Sequence, residues 1–506
     1  MIRRLACLIA VVIAPLTVRS AELATLHRAA ASIKASDLQS HVNVLADDSF
    51  EGRESGSRGG RAAGMYLLKQ LEERGLRGGG DDAGFFQAFG EGYRNVLGFL
   101  EGSDPELKRQ IVVVGAHYDH VGYGTRRNSY GPFGYVHNGA DDNASGTAGI
   151  LETVDACLAM PTPPKRSLLF AFWDGEEKGL LGSKHWVEHP TIDLENVAFM
   201  INVDMIGRMR NQQIEVFGSR TAPGLRRLVS EINFGSNLNL KFNWELKANS
   251  DHHSFISHGI PALMFHTGLH DDYHRPSDDT HKLNAEGMEL ASRLLFGVSF
   301  EVADRVDLGS FRAAAQSETL AVKQQLEQPL PALPPRLGVR WYADDAGPGL
   351  LIAHVERGTA AERAGLWVND RLIEFAGKKV TNQDAFRQDV LFAETRIEIV
   401  VEREGEESPL TLAVDLDGKP TRLGIAWRQD AGEPGTVIVT RVASGSPGRV
   451  AGLQTGDRIY AVANEPFTVG RDLYDKFTTL SGPIELTIER NGKLQSISLD
   501  VPPPRG

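Results

Sequence analysis

Ser167-Leu168-Leu169-Phe170-Ala171-Phe172-Trp173 is an unbroken apolar run that ends directly on Asp174-Gly175-Glu176-Glu177-Lys178-Gly179. A run of this length without alternation reads as a strand buried on both faces, as in a parallel sheet. Two adjacent carboxylates just past its end repel each other and lose hydration beside a core. A solvated turn is the plain reading of an isolated Glu-Glu pair. A metal cation gives the other reading: one carboxylate binds it and its neighbour stays free as a base. The flanking sequence favours the cation.

Upstream, Ile111-Val112-Val113-Val114 is a second buried strand, followed by Gly115-Ala116-His117-Tyr118-Asp119. Gly139-Ala140-Asp141-Asp142-Asn143-Ala144-Ser145-Gly146 places two acids at the start of a helix over 144–160. Downstream, Val197 to Val203 is strand-like and runs into Asp204. Ile214–Phe217 and Ile260–Phe265 read as further strands, and Tyr273-His274 follows the latter. Helical patterns occupy 58–74, 225–232 and 285–303. Alternating helices and apolar strands predict an α/β sandwich around a mostly parallel sheet. Ligands of such sheets bind beyond the carboxyl ends of strands, where all these groups fall. His and carboxylate donors without Cys suit zinc, and also cobalt or manganese. Two His and three carboxylates exceed one tetrahedral catalytic site, but they suit two metals that share a carboxylate.

These motifs, with Asn202-Val203-Asp204-Met205-Ile206-Gly207 and Ser250-Asp251-His252, resemble the signature of the co-catalytic dizinc aminopeptidases of the bacterial leucyl aminopeptidase and aminopeptidase Y type. The resemblance covers roughly residues 40–305 and keeps the family's motif order. It implies a zinc-exopeptidase-like α/β/α sandwich and two zinc ions per chain. Asp142 resembles the bridging ligand, with Asp141 as the alternative. His117 and Asp204 resemble the remaining ligands of one zinc, and Glu177 and His274 those of the other. Glu176 resembles the general base, and Asp119 the carboxylate that orients His117. Tyr273 is placed like a tyrosine that hydrogen-bonds the oxyanion in some relatives. His252 reads as a pocket or structural residue. His120, His137, His253, His258, His266 and His270 read as surface or loop histidines. The loop from Tyr123 to Tyr135 is expected to border the substrate cleft.

The chain has 506 residues and a net charge of −12, so several domains are expected and a nucleic-acid partner is not. Residues 1–20 read as a secretory signal: Arg3 and Arg4 precede an apolar core too short for a confident membrane span. Its removal leaves Cys157 without an internal disulfide partner. An exported protein, periplasmic or extracellular and without stable membrane insertion, is expected.

Beyond residue 305 the composition turns polar, and Pro329, Pro331, Pro334 and Pro335 stiffen a linker over 306–335. The sequence then repeats itself. Arg336-Leu337-Gly338-Val339 returns as Arg422-Leu423-Gly424-Ile425, 86 residues on. Ala364-Gly365-Leu366 and Asp370-Arg371-Leu372-Ile373 return 87 residues on as Ala451-Gly452-Leu453 and Asp457-Arg458-Ile459-Tyr460. Two tandem copies of one small domain are expected, over 336–418 and 419–503, after a peptidase domain over 21–305. The copies resemble bacterial protease PDZ domains, which implies C-terminal peptide ligands. No inserted protease-associated domain fits between Leu76 and Lys108, a departure from many relatives of the dizinc family.

The function expected is zinc-dependent hydrolysis of N-terminal residues from peptides with a free N-terminus. The alternatives are another dizinc amidohydrolase or peptidase, a glutaminyl-cyclase-like enzyme, and a PDZ-based peptide-binding scaffold with an inactive peptidase domain.

Overall fold

The structure, a computed structural model, describes residues 24–503. The signal-like segment over 1–20 lies outside the described residues. The chain forms two compact units, the first running to Leu320 and including Asn491–Lys493, the second made of the residues between and after.

The first unit is built on a nine-stranded sheet. Its strands are β1 (Arg77–Gly78), β2 (Phe86–Phe89), β3 (Tyr93–Leu100), β4 (Ile111–His117), β5 (Ser167–Trp173), β6 (Val197–Val203), β7 (Gln213–Phe217), β8 (Asn239–Phe242) and β9 (Ala262–His266). They lie in the order β1-β3-β5-β4-β6-β9-β7-β8, with β2 also paired to β3. The central strands β5, β4, β6 and β9 are parallel neighbours. On the flanks, β3 pairs antiparallel with β5, and β7 with β9, so the sheet is mixed. The hairpin of β2 and β3 is not anticipated from sequence, because Tyr93-Arg94-Asn95 opens β3 with polar residues.

The central strands are apolar throughout because both faces are covered. Val112, Val114, Ala116, Leu168, Phe170 and Phe172 join one core cluster, with residues of α1 (Ala35–Leu45), α3 (Gly146–Leu158) and α7 (Ala285–Asp304). Helix α2 (Arg58–Glu73) adds Ala63, Leu67 and Leu71 to that cluster, and α5 (Leu225–Ile232) adds Leu228 and Val229. The alternate residues Ile111, Val113, Leu169, Ala171 and Trp173 join a second cluster. There they meet Trp186 and Val187 of α4 (Leu181–Glu188) and Phe255 and Ile256 of α6 (His252–Ile256). A period of two thus sorts one strand between two helical layers.

Strand β4 lies between β5 and β6, so the chain leaves it toward one neighbour and later returns on its other side. This reversal opens a crevice at the carboxyl ends of these strands. His117 ends β4, Glu176 and Glu177 follow β5, and Asp204 follows β6.

The second unit holds two six-stranded sheets of one topology. The first contains β10 (Val339–Trp341), β11 (Leu350–Val355), β12 (Arg371–Phe375), β13 (Lys378–Lys379), β14 (Arg396–Glu402) and β15 (Leu410–Asp415). The second contains β16 (Ile425–Gln429), β17 (Val437–Val442), β18 (Arg458–Val462), β19 (Glu465–Pro466), β20 (Gly482–Arg490) and β21 (Lys493–Val501). The orders β10-β11-β12-β14-β15 and β16-β17-β18-β20-β21 correspond strand for strand, each with a two-residue strand beside the third.

The repeated sequence marks the same bonds in both copies. Arg336 donates to the carbonyls of Val390 and Ala393, at the C-terminus of α8 (Gln383–Phe392). Arg422 donates to those of Thr478 and Leu480, at the C-terminus of α9 (Gly470–Thr479). Each guanidinium satisfies carbonyls that the last helical turn leaves open. Asp370 takes both forks of Arg403, whose Nη2 also reaches Gly365 O; Asp457, Arg490 and Gly452 repeat this contact.

Candidate metal centre

The five expected ligands meet at the crevice. His117 Nε2 lies 3.3 Å from Asp142 Oδ1 and 3.4 Å from Asp204 Oδ1. His274 Nε2 lies 3.0 Å from Asp142 Oδ2 and 3.1 Å from Glu177 Oε2. Two atoms bound tetrahedrally at zinc distances are themselves about 3.3 Å apart, so the His–carboxylate edges of both trios have the right length. Asp142 gives one oxygen to each trio. Its Oδ2 and His274 Nε2 are buried and, although 3.0 Å apart, are not aligned as a hydrogen bond, as donors aimed at a common cation would be. Donor chemistry and geometry both fit divalent zinc, cobalt or manganese.

Local structure fixes these side chains. Asn143 donates from Nδ2 to Val203 O, and its Oδ1 accepts from Met205 N–H and Gly146 N–H. It therefore ties the start of α3 to the end of β6 and sets Asp142 against Asp204. Asp278 Oδ2 accepts the N–H groups of both Asp141 and Asp142. Asp141 itself turns away from the trios, toward Ser145 Oγ, Gly207 N–H and His270 Nε2. His274 Nδ1 contacts Asn128 O at 3.0 Å, and its own carbonyl accepts from Ser129 Oγ and Tyr130 N–H. The 121–137 loop therefore clamps the last ligand.

Asp119 differs from expectation. Its carboxylate lies 3.8 Å from His117 Nδ1, and its main-chain carbonyl is closer, at 3.2 Å. The carboxylate instead accepts from Ser55 Oγ and from the N–H groups of Glu176 and Glu177. The left-handed Gly175 starts that turn and turns these N–H groups back toward Asp119, which explains the redirection.

Glu176 lies within 4.8 Å of the ligand atoms of His117 and Glu177. Burial, with Glu177 and Asp251 nearby, holds its carboxyl well above the usual carboxylate range despite His117. Asp142 shows the opposite balance: burial raises it, but contacts from His117 and His274 take it well below that range. Burial lowers His274, yet Asp142 and Glu177 push it up to about 11. Burial raises the Tyr273 hydroxyl, and the charges of Asp142, Glu177, Asp204 and Glu176 raise it further. The Tyr273 ring stacks on His274 at 3.9 Å and faces this field as a neutral donor. Tyr130, largely exposed, sits 6.2 Å from the Tyr273 ring.

Several participants are unread in the sequence. His120, expected on the surface, is 1% exposed and contacts Glu177 Oε1 at 2.8 Å. His137 and His266 are buried as well and His270 is half-buried, whereas His258 is exposed. The loop residue Arg53 is fully buried and donates to the carbonyls of Leu45, Tyr118, Asn138 and Gly139. Asp251 is buried with neither carboxylate oxygen hydrogen-bonded, and burial pushes its carboxyl up to about 7. His252 is buried with both ring nitrogens unpartnered, and burial pulls it down to about 4.

Residues 95–298 match the family model of peptidase family M28. Leupeptin-inactivating enzyme 1 of Streptomyces exfoliatus is 27% identical over 250 residues, covering 48% of this chain and 50% of the relative. A probable leucine aminopeptidase of Arthroderma benhamiae is 30% identical over 209 residues, covering 39% of this chain and 56% of the relative. The aminopeptidase LapA of Legionella pneumophila aligns in structure with a TM-score of 0.48 and 22% identity, over 56% of this chain and 75% of that one. The chain spans about half the length of the curated relatives it matches.

Proposed function

Because residues 95–298 match peptidase family M28, we propose that the chain is an exported aminopeptidase that uses two zinc ions to release N-terminal residues from peptides. Asp142 carries the reading, because its two oxygens face two separate trios of donors. His117 and Asp204 would hold one ion, Glu177 and His274 the other, and Asp142 both. Cobalt or manganese could replace zinc on the same donors. When bound, the ions lower the pKa of a water toward neutrality and polarise the scissile carbonyl.

The chain's own groups do the rest. Glu176, half-buried beside His117 and outside both trios, accepts the attacking water's proton and returns one to the leaving amine. Tyr273 donates its hydroxyl hydrogen to the carbonyl oxygen as charge develops there. Asp119 holds the Glu176–Glu177 turn through its carboxylate and His117 through its carbonyl. The aminopeptidase names of the relatives, together with the exposed aromatic loop beside His274, support a substrate with an apolar N-terminal residue. Among the described residues no helix is long and apolar enough to cross a membrane. Metal analysis of the purified protein tests the centre: two zinc ions per chain are expected, and fewer than one in Asp142→Asn. A full complement in that variant would contradict the shared-carboxylate assignment.

We further propose that the two repeats are PDZ-like modules for peptide or partner binding. Leu337, Val339, Trp341, Phe386 and Val390 of the first repeat line a cavity of about 330 Å³, closed by linker residues from Ala332 to Pro335 and by Arg441 to Ser444 of the second repeat, and its apolar wall supports an apolar peptide there.

A further inference from the structure

His120 stands three residues beyond the ligand His117 and is not among the donors assigned above. Its ring is enclosed, and it lies edge-on to His274 at 5.5 Å. A Cβ on Gly139 would stand 2.5 Å from the His120 ring, so only glycine there leaves the ring its place. The backbone is held too: His120 N–H donates to Arg53 O, and the residue forms a bridge with Glu54.

So confined, His120 Nδ1 sits 2.8 Å from Glu177 Oε1, a hydrogen-bond distance, and 3.7 Å from Asp142 Oδ2. The other Glu177 oxygen, Oε2, faces His274 Nε2. The two oxygens of one carboxylate therefore have different partners. The geometry points to His120 as a positioning residue for Glu177, an assignment that rests on the metallopeptidase reading above. Its Nδ1–H donates to Oε1, which fixes the side-chain rotation and leaves Oε2 alone for the metal. A carboxylate held this way would offer a metal one oxygen, Oε2. A residue of this kind, acting behind a ligand, typically contributes 10–100-fold to metal affinity.

The test is zinc binding by the full chain, followed by competition with a chromophoric chelator, in wild type, His120→Asn and His120→Gln. Asn keeps an N–H near the position of Nδ1, whereas the amide of Gln reaches toward that of Nε2. Both variants are polar and of similar bulk, so a folding defect would affect them alike, and circular dichroism of the apo-proteins checks this. His120→Gln is expected to bind one of the two zinc ions about 10–100-fold more weakly and the other normally. His120→Asn is expected to keep both within about threefold of wild type on the same scale. Equal behaviour of the two variants overturns the assignment: wild-type affinity in both removes any role for His120, and equal loss of one ion makes it a direct ligand. Wild-type protein that takes up no zinc would instead overturn the metallopeptidase reading itself.

Discussion

Glu176 and Glu177 are adjacent in sequence, yet the fold gives them opposite surroundings. Burial and the charge of Asp142 raise Glu177, but His120 and His274 outweigh them and hold it ionised. Glu176 keeps a raised carboxyl beside the buried Asp251. Glu176→Gln is expected to retain its metal while kcat falls by about 10²–10⁴, the range of a lost general base; metal analysis beside kinetics checks both halves. The residues of the two proposed trios stood out in the sequence because His117, Glu177 and Asp204 end or follow apolar strands and Asp142 opens a helix. His120, Arg53 and Asp251 did not, because their burial comes from chain segments far away in sequence. A second residue-scale prediction concerns Glu318, which accepts from Arg220 Nη2 at 2.8 Å and Arg312 Nη1 at 3.0 Å. Burial alone would raise its carboxyl, but these guanidinium groups outweigh burial and hold it at about 2. A depressed folded-state pKa stabilises the fold above the unfolded value of about 4.3, and that contribution disappears as pH falls toward the folded value. Glu318→Gln should therefore lower the melting temperature by a few degrees at pH 7. The gap should narrow steadily below about pH 4.3, the unfolded reference. A gap that stays constant down to pH 3 would contradict this sign.

At the scale of elements, the central strands were readable because burial on both faces suppresses alternation and leaves a plain apolar run. Strand β3 was not, because it lies toward the sheet edge and admits Arg94 and Gly98 among its apolar residues. The segment 48–57 is rich in Gly and Ser and carries no apolar period, yet its Arg53 joins three parts of the chain. Its guanidinium links the end of α1, the segment after β4 and the segment before Asp141 through four carbonyl acceptors. Lysine keeps the charge but has no planar fork. Arg53→Lys should therefore strand buried carbonyls and cost on the order of 3 kcal/mol. Thermal melting with and without zinc checks this. Unchanged stability would show that charge alone suffices at this position.

For the whole molecule, the 86–87-residue repeat was legible because its conspicuous residues make the same bonds twice. Arg336 and Arg422, which open the repeated Arg-Leu-Gly motif, turn to the helix C-termini. Ligand binding in the first repeat would then fall to the backbone of Leu337–Val339 and to the apolar cavity. Val390→Arg, placed in that cavity, should leave hydrolysis of short substrates within about twofold of wild type. It should also abolish binding of a fluorescent peptide with an apolar, free C-terminus, read by anisotropy, as burying an unpaired charge implies. Equal peptide binding by wild type and variant would remove the groove from the account. The central claim is metal-dependent release of N-terminal residues. Its most direct test is hydrolysis of free and N-blocked aminoacyl-anilides by the purified protein, before chelation, after it, and after zinc add-back. The account predicts cleavage of the free substrates alone, lost with chelator and restored by zinc; cleavage of blocked substrates, or cleavage indifferent to chelator, would contradict it.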